Sequence, residues 1–237
     1  MKLKQLKNSD FRKDHKYDFL FPIGSTEQHG PFIPFGTDTY ITDYLVEQIS
    51  KAYPELIILP TLEYSRSQEH RGFYGTIWLT EETLAKVMFD ICQSLKDQTK
   101  NIFITSFHAN DSVIKKFIDN NSFGDTKIVY LEVANEEDDK NITDILGGPL
   151  DDHAGNSEIS NMLVIDKALV KLPTQDYPKS RVDNPWKTDN LIDKCPNGIA
   201  DNHPQWNVDS SNGKRILDIY VNRMTKNLKN YLPNHKA

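Results

Sequence analysis

Three short segments of the chain combine histidine with carboxylic acids, a set of side chains that can bind a metal ion. The first runs from 24 to 38 and contains Glu27, His29 and Asp38. Glu27 and His29 are two residues apart, so an extended backbone directs both side chains to the same side. Asp38 stands where a helix is expected to begin, and there it either caps that helix or acts as a ligand. Because a carboxylate has two oxygens, Asp38 could also bridge two cations.

The second segment begins at His108, directly after an apolar run from 101 to 106. A lone histidine after a strand has a purely structural interpretation, in which it hydrogen-bonds within the core or caps the next helix. Its neutral imidazole would nevertheless complement the oxygen ligands above, giving the mixed nitrogen and oxygen set that suits Zn, Mn or Fe. Asp111, three residues further on, either caps the following helix or borders the same site.

The third segment runs from 151 to 160 and carries His153 and Glu158. Ala154 and Gly155 are small, so they permit the close approach of a backbone or a ligand. Imidazole titrates near neutral pH, which makes His153 a candidate general acid or base. Glu158 is expected in the first turn of a helix, where the helix dipole alone favours an acidic residue.

Several other polar or aromatic residues have two interpretations. The pair Glu69 and His70 either borders the pocket or lies on the surface. The side chains of three further residues either line a pocket or fix an irregular loop to the core: Trp186, His203 and Trp206. Cys92 falls on an apolar helix face and is expected in the core, and Cys195 lacks a neighbouring pattern that would mark a nucleophile.

Apolar runs and helical periodicity alternate along the chain and predict the elements that hold these segments. The expected strands are 17–23, 56–59, 101–106 and 127–133, and the expected helices are 39–53, 80–95, 112–121, 156–169 and 213–231. The acidic run 136–139 is expected to be a solvated loop, and no regular structure is assigned to 173–212. This alternation predicts an α/β sandwich with a mainly parallel sheet, in one domain spanning 1–237. All three segments follow expected strands, so their side chains should meet at the carboxyl edge of the sheet.

Composition narrows the class of protein. The 237 residues carry a formal net charge of −6, which argues against a nucleic-acid partner because no concentrated basic face is available. Two distant cysteines exclude a disulfide framework and favour a reducing compartment. Neither a signal peptide nor a membrane-spanning run is recognisable, so a cytoplasmic protein without membrane contact is expected.

Taken together, the motifs resemble the creatininase family, which comprises creatinine amidohydrolases and relatives such as formamidopyrimidine deformylases and the mycofactocin peptidase. Order and spacing match over residues 17 to 230. The matching motifs are Ser25-Thr-Glu-Gln-His-Gly-Pro31, Pro34-Phe-Gly-Thr-Asp38, Gly75-Thr76, His108 after its strand, and His153-Ala-Gly-Asn-Ser-Glu-Ile-Ser160.

The resemblance implies a three-layer α/β/α fold, assembly into homo-hexamers and a divalent metal site. By position, the ligands of one cation correspond to Glu27, Asp38 and His108. His29 and Asp38 correspond to ligands of a second cation, with Asp38 bridging the two. His153 falls at the position of the catalytic histidine, and Glu158 matches a glutamate of the same block.

Two departures from the family pattern concern the second cation. Creatininase has a His-x-Glu pattern where this chain has Asn110, and many other relatives have an extra glutamate where it has Asn156. A neutral amide oxygen binds a divalent cation less strongly than a carboxylate does. The second cation is therefore expected to bind weakly, to rely on Glu158, or to be absent, and creatinine is not the expected substrate.

The expected function is hydrolysis of a non-peptide C–N bond in an amide, cyclic amide or formamide of a small polar molecule. One or two ions of Zn, Mn or Fe are expected to activate the attacking water. His153 and Glu158 are the expected catalytic residues. Two alternatives stay open: a peptidase that acts on a modified peptide, and a metal- or ligand-binding homologue without turnover. The expected partners are a small-molecule substrate and further copies of the chain.

Overall fold

The computed structural model describes residues 1–151, 153–182 and 190–232. Its strands are β1 (Tyr17–Ile23), β2 (Ile57–Ile58), β3 (Ser65–Arg66), β4 (Trp78–Leu79), β5 (Thr99–Ser106) and β6 (Lys127–Tyr130). Its α-helices are α1 (Thr37–Ala52), α2 (Glu81–Leu95), α3 (Asp111–Asn120), α4 (Glu136–Leu146), α5 (Asn156–Asp166) and α6 (Ser210–Lys229).

Four strands form one parallel sheet in the order β2-β1-β5-β6. The two central strands, β1 and β5, pair over almost their whole length, from Tyr17 opposite Thr99 to Ile23 opposite Ser106. Their carboxyl ends therefore lie side by side, and the first two chemical segments leave the sheet at the same edge. Strands β3 and β4 form a separate parallel pair.

Helices cover both faces of the sheet, which confirms the expected three-layer sandwich. Side chains alternate across each strand, so Phe19 and Phe21 enter one core while Leu20 enters the other. The core with Phe19 is closed by α2 and α3, and the core with Leu20 is closed by α1, α4, α5 and α6. The central strands are thus apolar on both faces, as a covered parallel sheet requires.

Predicted and observed elements agree in order and differ mainly at their ends. The fourth expected strand stops at Tyr130 rather than at 133, and the last helix begins at Ser210 rather than at 213. The prediction of a loop at 136–139 is wrong, because these four acidic residues form the first turn of α4. Asn135 accepts hydrogen bonds from the backbone N–H groups of Glu137 and Asp138, and the helix dipole favours acidic residues there.

The segment 173–212 is largely irregular in its described part, as expected, although α6 begins within it and Leu191–Asp193 forms a short 3-10 helix. His203 contacts the carbonyl oxygens of Gln205 and Leu146 at 2.7 and 3.1 Å, and Trp206 donates to the carbonyl of Tyr177. These two side chains therefore fix the loop to the core. Trp186 lies outside the described residues.

Both cysteines are buried. Cys92 lies on the core-facing side of α2, as expected. Cys195 lies in a small cluster with Val182, Leu191 and Ala200. Burial raises the pKa of the Cys92 thiol to about 12, and it also raises the pKa of Cys195. Among the described residues, none of the helices is both long and apolar enough to span a membrane.

Candidate metal centre

The structure brings the three chemical segments together at the carboxyl edge of β1 and β5. Glu27 and His29 lie in the loop after β1, and His108 lies in the loop after β5. Asp38 is the second residue of α1, behind Gly36 at the N-cap position, so the alternative in which Asp38 caps this helix is wrong. All four of these side chains are buried.

One group of candidate ligands consists of Glu27, Asp38 and His108. Nδ1 of His108 lies 3.4 Å from Oε2 of Glu27 and 3.3 Å from Oδ2 of Asp38. Ser25 donates a 2.6 Å hydrogen bond to the same Oε2 and orients the carboxylate. This is the set that the sequence motifs indicate for the first cation.

A second group consists of His29, Asp38 and Glu158. Nε2 of His29 lies 3.6 Å from Oδ1 of Asp38 and 3.7 Å from Oε2 of Glu158. Glu158 stands in the first turn of α5 and accepts a 2.6 Å hydrogen bond from the N–H of Ala154. Ala154 has φ of 55°, a left-handed conformation that is unusual outside glycine and turns this N–H toward the site. Asp38 belongs to both groups, as a bridging carboxylate would.

Backbone carbonyls fix which nitrogen of each candidate ligand carries the proton. A carbonyl oxygen can only accept, so His29 donates from Nδ1 to the carbonyl of Glu27 at 3.0 Å. His108 likewise donates from Nε2 to the carbonyl of Arg66 at 2.8 Å. The other nitrogen of each ring, Nε2 of His29 and Nδ1 of His108, faces carboxylate oxygens and can either carry a second proton or bind a cation. Metal-binding histidines are oriented by second partners in this way.

These residues fit a divalent cation. Three buried atoms in the cluster have no hydrogen-bond partner among the described residues: Oε1 of Glu27, Nε2 of His29 and Oδ2 of Asp38. The separations of 3.3 to 3.7 Å exceed ordinary hydrogen bonds but match the spacing of about 3.4 Å between ligands that each lie about 2.1 Å from one tetrahedral ion. A positive charge, either a proton on the ring or a bound cation, must therefore lie between each of these nitrogens and the facing carboxylates.

The shifted pKa values of His29 and Glu158 also indicate that this cluster favours positive charge. Burial alone would lower the pKa of His29, but the carboxylates of Asp38 and Glu158 outweigh it and raise this pKa to about 10. Burial raises the pKa of Glu158 to about 8 despite the nearby His29. Without a cation the cluster therefore holds protons on these groups, and a cation would displace them.

His153 lies beside the two groups of ligands. Its Nε2 lies 2.7 Å from the carbonyl of Gln28 and therefore donates to it, so Nδ1 carries the lone pair. That Nδ1 lies 3.8 Å from Oε1 of Glu27, and Glu27, His29 and His153 form a third possible ligand group. Burial, reinforced by His29 and His70, lowers the pKa of His153 well below its usual range, so its ring is neutral near pH 7.

The main residues that the sequence analysis undervalued are His70 and Gln28. The interpretation of Glu69 and His70 as a surface pair is wrong, because both are buried. Gln28 Nε2 donates to Nδ1 of His70 at 3.0 Å, so Nε2 of His70 carries its proton, 3.2 Å from Oε1 of Glu27. The available signal was the position of Gln28 between Glu27 and His29, but no local pattern connects it to a histidine 42 residues away.

The two asparagines at the departures from the family pattern do not join the ligand groups. The side-chain amide of Asn110 donates to the hydroxyl of Ser106. Asn110 is also the N-cap of α3, so the alternative in which Asp111 caps this helix is wrong. Asn156 bonds Gln205 and Asn207, and so ties α5 to the loop before α6. Of the three residues considered for the second cation, only Glu158 faces His29 and Asp38.

A cavity of about 310 Å³ opens above the ligand groups. Glu27, Asp38, His108, His153 and Glu158 contribute to its wall together with His70. This volume is near the lower limit for small-molecule sites, and it suits a ligand of modest size. A parallel α/β sheet with candidate cation ligands and a small cavity at its carboxyl edge is an arrangement that suits a metal-dependent hydrolase.

The chain belongs to the creatininase family. The family model described as creatinine amidohydrolase matches residues 4–228, almost the whole chain. A solved creatininase superposes with a TM-score of 0.73 over 98% of both chains at 18% identity, which demonstrates the shared fold. Solved members include a Zn–Zn form and a Mn form, and one mutant is complexed with creatine.

Curated relatives match over shorter stretches. The mycofactocin precursor peptide peptidase of Mycolicibacterium smegmatis is 34% identical over 97 residues, which are 39% of this chain and 39% of that protein. The 3-dehydro-scyllo-inosose hydrolase of Thermotoga maritima is 28% identical over 72 residues, which are 30% of this chain and 23% of that protein. The chain thus aligns with less than half the length of these relatives, whose named activities differ from each other.

Proposed function

We propose that this protein is a metal-dependent amidohydrolase that cleaves an amide, cyclic amide or formamide C–N bond in a small polar molecule. The observation that carries the proposal is the pair of ring nitrogens, Nε2 of His29 and Nδ1 of His108, that lie 3.3 to 3.7 Å from carboxylate oxygens of Glu27, Asp38 and Glu158 in a buried cluster. Such a centre has no evident structural purpose without a cation. The family and the small cavity support hydrolysis of a small molecule.

Glu27, Asp38 and His108 would hold one cation, and His29, Asp38 and Glu158 a second. Carboxylate and imidazole donors admit Zn, Mn or Fe. A divalent cation at such a site supplies Lewis acidity, which acidifies water and polarises a carbonyl group.

The chain's own residues would handle the proton. His153 is neutral and presents the lone pair of Nδ1 toward the ligand cluster, so it can accept a proton from the attacking water. It can then return that proton to the departing nitrogen, a contribution of roughly 10²- to 10⁴-fold. Ser25 orients the Glu27 carboxylate by donating to Oε2, and Nε2 of His70 lies 3.2 Å from Oε1.

Elemental analysis of the purified protein tests the ligand assignment. Glu27→Ala and His108→Ala should each lose bound metal, whereas His15→Ala, which removes an exposed histidine far from the site, should keep it. A screen of cyclic amides, formamides and lactones should then detect turnover in the wild type only with metal present. Full metal retention in both ligand variants would overturn the proposal.

One second function has a specific observation in its favour. The match to the mycofactocin precursor peptide peptidase favours cleavage of a modified peptide. Mass spectrometry of peptide and small-amide mixtures after incubation with the enzyme separates the two substrate classes. A protein that binds metal but turns over neither class would instead be a non-catalytic homologue.

A further inference from the structure

The wall of the cavity is strongly acidic. Among the residues that the structure describes, its lining contains six carboxylic acids and no lysine or arginine. Three of the six, Glu27, Asp38 and Glu158, belong to the candidate ligand groups. Bound cations would offset the charge of those three. The remaining three are Asp111, which lies 3.8 Å from Lys115, and Asp139 and Asp151, for which the described residues form no salt bridge.

Of these three aspartates, Asp151 provides the strongest evidence for a cationic ligand. Its Oδ1 accepts a 2.9 Å hydrogen bond from the N–H of Ser157, while its Oδ2 is buried and has no hydrogen-bond partner among the described residues. A buried carboxylate oxygen without a partner is costly unless a ligand supplies one. Asp201, which also acts electrostatically on Asp151, is already paired with Lys179 at 3.1 Å. Asp151 therefore lines the cavity with a carboxylate that forms no salt bridge within the described part of the chain.

Asp111 and Asp139 add negative charge from two further elements. They stand in the first turns of α3 and α4, and both are exposed at the mouth of the cavity. The nearest described cation is Lys115, which lies 3.8 Å from Asp111 and 3.5 Å from Glu132. Because Lys115 is shared between two carboxylates, the mouth keeps a net negative charge.

Aromatic rings complete the same wall. Phe107, Tyr130 and Tyr220 line the cavity beside the three aspartates. The face of an aromatic ring attracts a cation, and this attraction is largest where water is partly excluded. The ring of Tyr130 already has Lys115 5.3 Å from its centroid, so Phe107 and Tyr220 are the rings left to a ligand. Carboxylates and aromatic rings together suit a positively charged nitrogen, and the carboxylates repel an anion.

We propose that the substrate carries a positively charged nitrogen, distinct from the bond that is cleaved, and that the carboxylate of Asp151 accepts a hydrogen bond from it. This inference rests on the proposed hydrolytic function, and it adds the charge class of the substrate. Asp139 contributes long-range attraction at the mouth. Anionic amides of the same size are excluded by the same charges.

Two probe molecules of similar size that differ by one charge test the proposal: benzylammonium and benzyl alcohol. Their affinities for the metal-loaded protein are measured by calorimetry near pH 7.5 at low salt. Benzylammonium should bind at least about tenfold more tightly, as a charge-assisted hydrogen bond implies. Asp151→Asn, which keeps the size of the side chain, should remove most of this preference.

Two further variants separate electrostatics from folding. Asp139→Asn lies on the exposed first turn of α4, so it should fold and reduce the preference by a smaller factor. Asp144→Asn makes the same charge change on the same helix at an exposed residue outside the cavity wall, and it should leave the preference unchanged. Equal affinity for both probes in the wild type, or a preference that survives both Asp151→Asn and Asp139→Asn, would overturn the proposal.

Failure of this inference is distinguishable from failure of the hydrolytic function. If neutral or anionic amides are hydrolysed faster than cationic ones, the charge class is wrong and the hydrolase stands. If the preference for benzylammonium depends on Asp151 while no amide is cleaved, the cavity selects cations and the hydrolytic function is wrong.

Discussion

Substitution of Gly213 by alanine should destabilise the fold through one helix contact. Gly213 lies in the first turn of α6, where a Cβ atom would stand 2.0 Å from the carbonyl oxygen of Ser160 and 2.4 Å from its carbonyl carbon, in α5. These are backbone atoms, so no side chain can rotate away. The two helices would have to separate until that contact reaches the ordinary 3.4 Å.

The magnitude follows from two opposing effects. Alanine would gain about 1 kcal/mol over glycine in a helix. Overpacking a rigid contact costs about 1–3 kcal/mol and sometimes more, and here α6 must also loosen the buried Ile216 and Leu217. A cost at the upper end of this range, about 3 kcal/mol, leaves a net loss of about 2 kcal/mol, which would lower Tm by roughly 4–8 °C in a chain of this size.

Thermal unfolding followed by circular dichroism, with the protein in a chelator, measures this change. Asn222→Ala is the matched control, since it places alanine at an exposed position of the same helix and should shift the free energy of unfolding by less than about 0.5 kcal/mol. Because α5 carries Glu158, Gly213→Ala should also weaken binding of the cation that Glu158 would help to hold. A Tm within about 1 °C of the wild type would refute the reasoning, because it would mean that α5 and α6 are not held by this close backbone approach.

Three further predictions concern the site. Burial raises the pKa of Asp151 to about 6, against about 3.9 in an unfolded chain, so its stabilising contribution is complete below pH 4 and is lost as the pH rises through 6. With a chelator present, the Tm of Asp151→Asn should therefore equal that of the wild type near pH 4 and exceed it at pH 7.5. A difference in Tm that does not grow with pH would contradict the raised pKa of Asp151. Gly198→Ala would place a Cβ atom 1.8 Å from Oε1 of Gln28, at a residue with φ of 76°. Because Gln28 would have to move, turnover should fall at least about tenfold while bound metal is retained. Unchanged turnover would count against a role for Gln28. His153→Ala should keep its metal by elemental analysis and lose about 10²- to 10⁴-fold in kcat, and loss of the metal instead would identify His153 as a ligand.

Most of the fold follows from local patterns in the sequence. The short apolar run 102–104 favours a covered strand over a helix because of its length and β-branched residues, and the spacing of Leu84, Met88 and Cys92 defines one helix face. The acidic start of α4 was missed because its stability comes from the Asn135 cap and from two later apolar residues, Ile142 and Leu146, rather than from the charged run itself.

The ligand set was predictable for a similar reason. Parallel pairing of β1 and β5 brings their following loops together, so Glu27, His29 and His108 could be grouped before their distances were known. The assignment of these residues as ligands stays a prediction until metal is measured. His70 could not be found in this way, because its contact with Gln28 depends on how an irregular loop returns to the site.

The burial of both thiols has a practical consequence for handling this protein. With the pKa of Cys92 near 12 and that of Cys195 also raised, almost no thiolate is present at neutral pH to react with oxygen or alkylating agents. Purification can therefore omit dithiothreitol and similar reductants, which chelate transition metals. Counting the cations per chain then needs no correction for metal that a buffer has stripped.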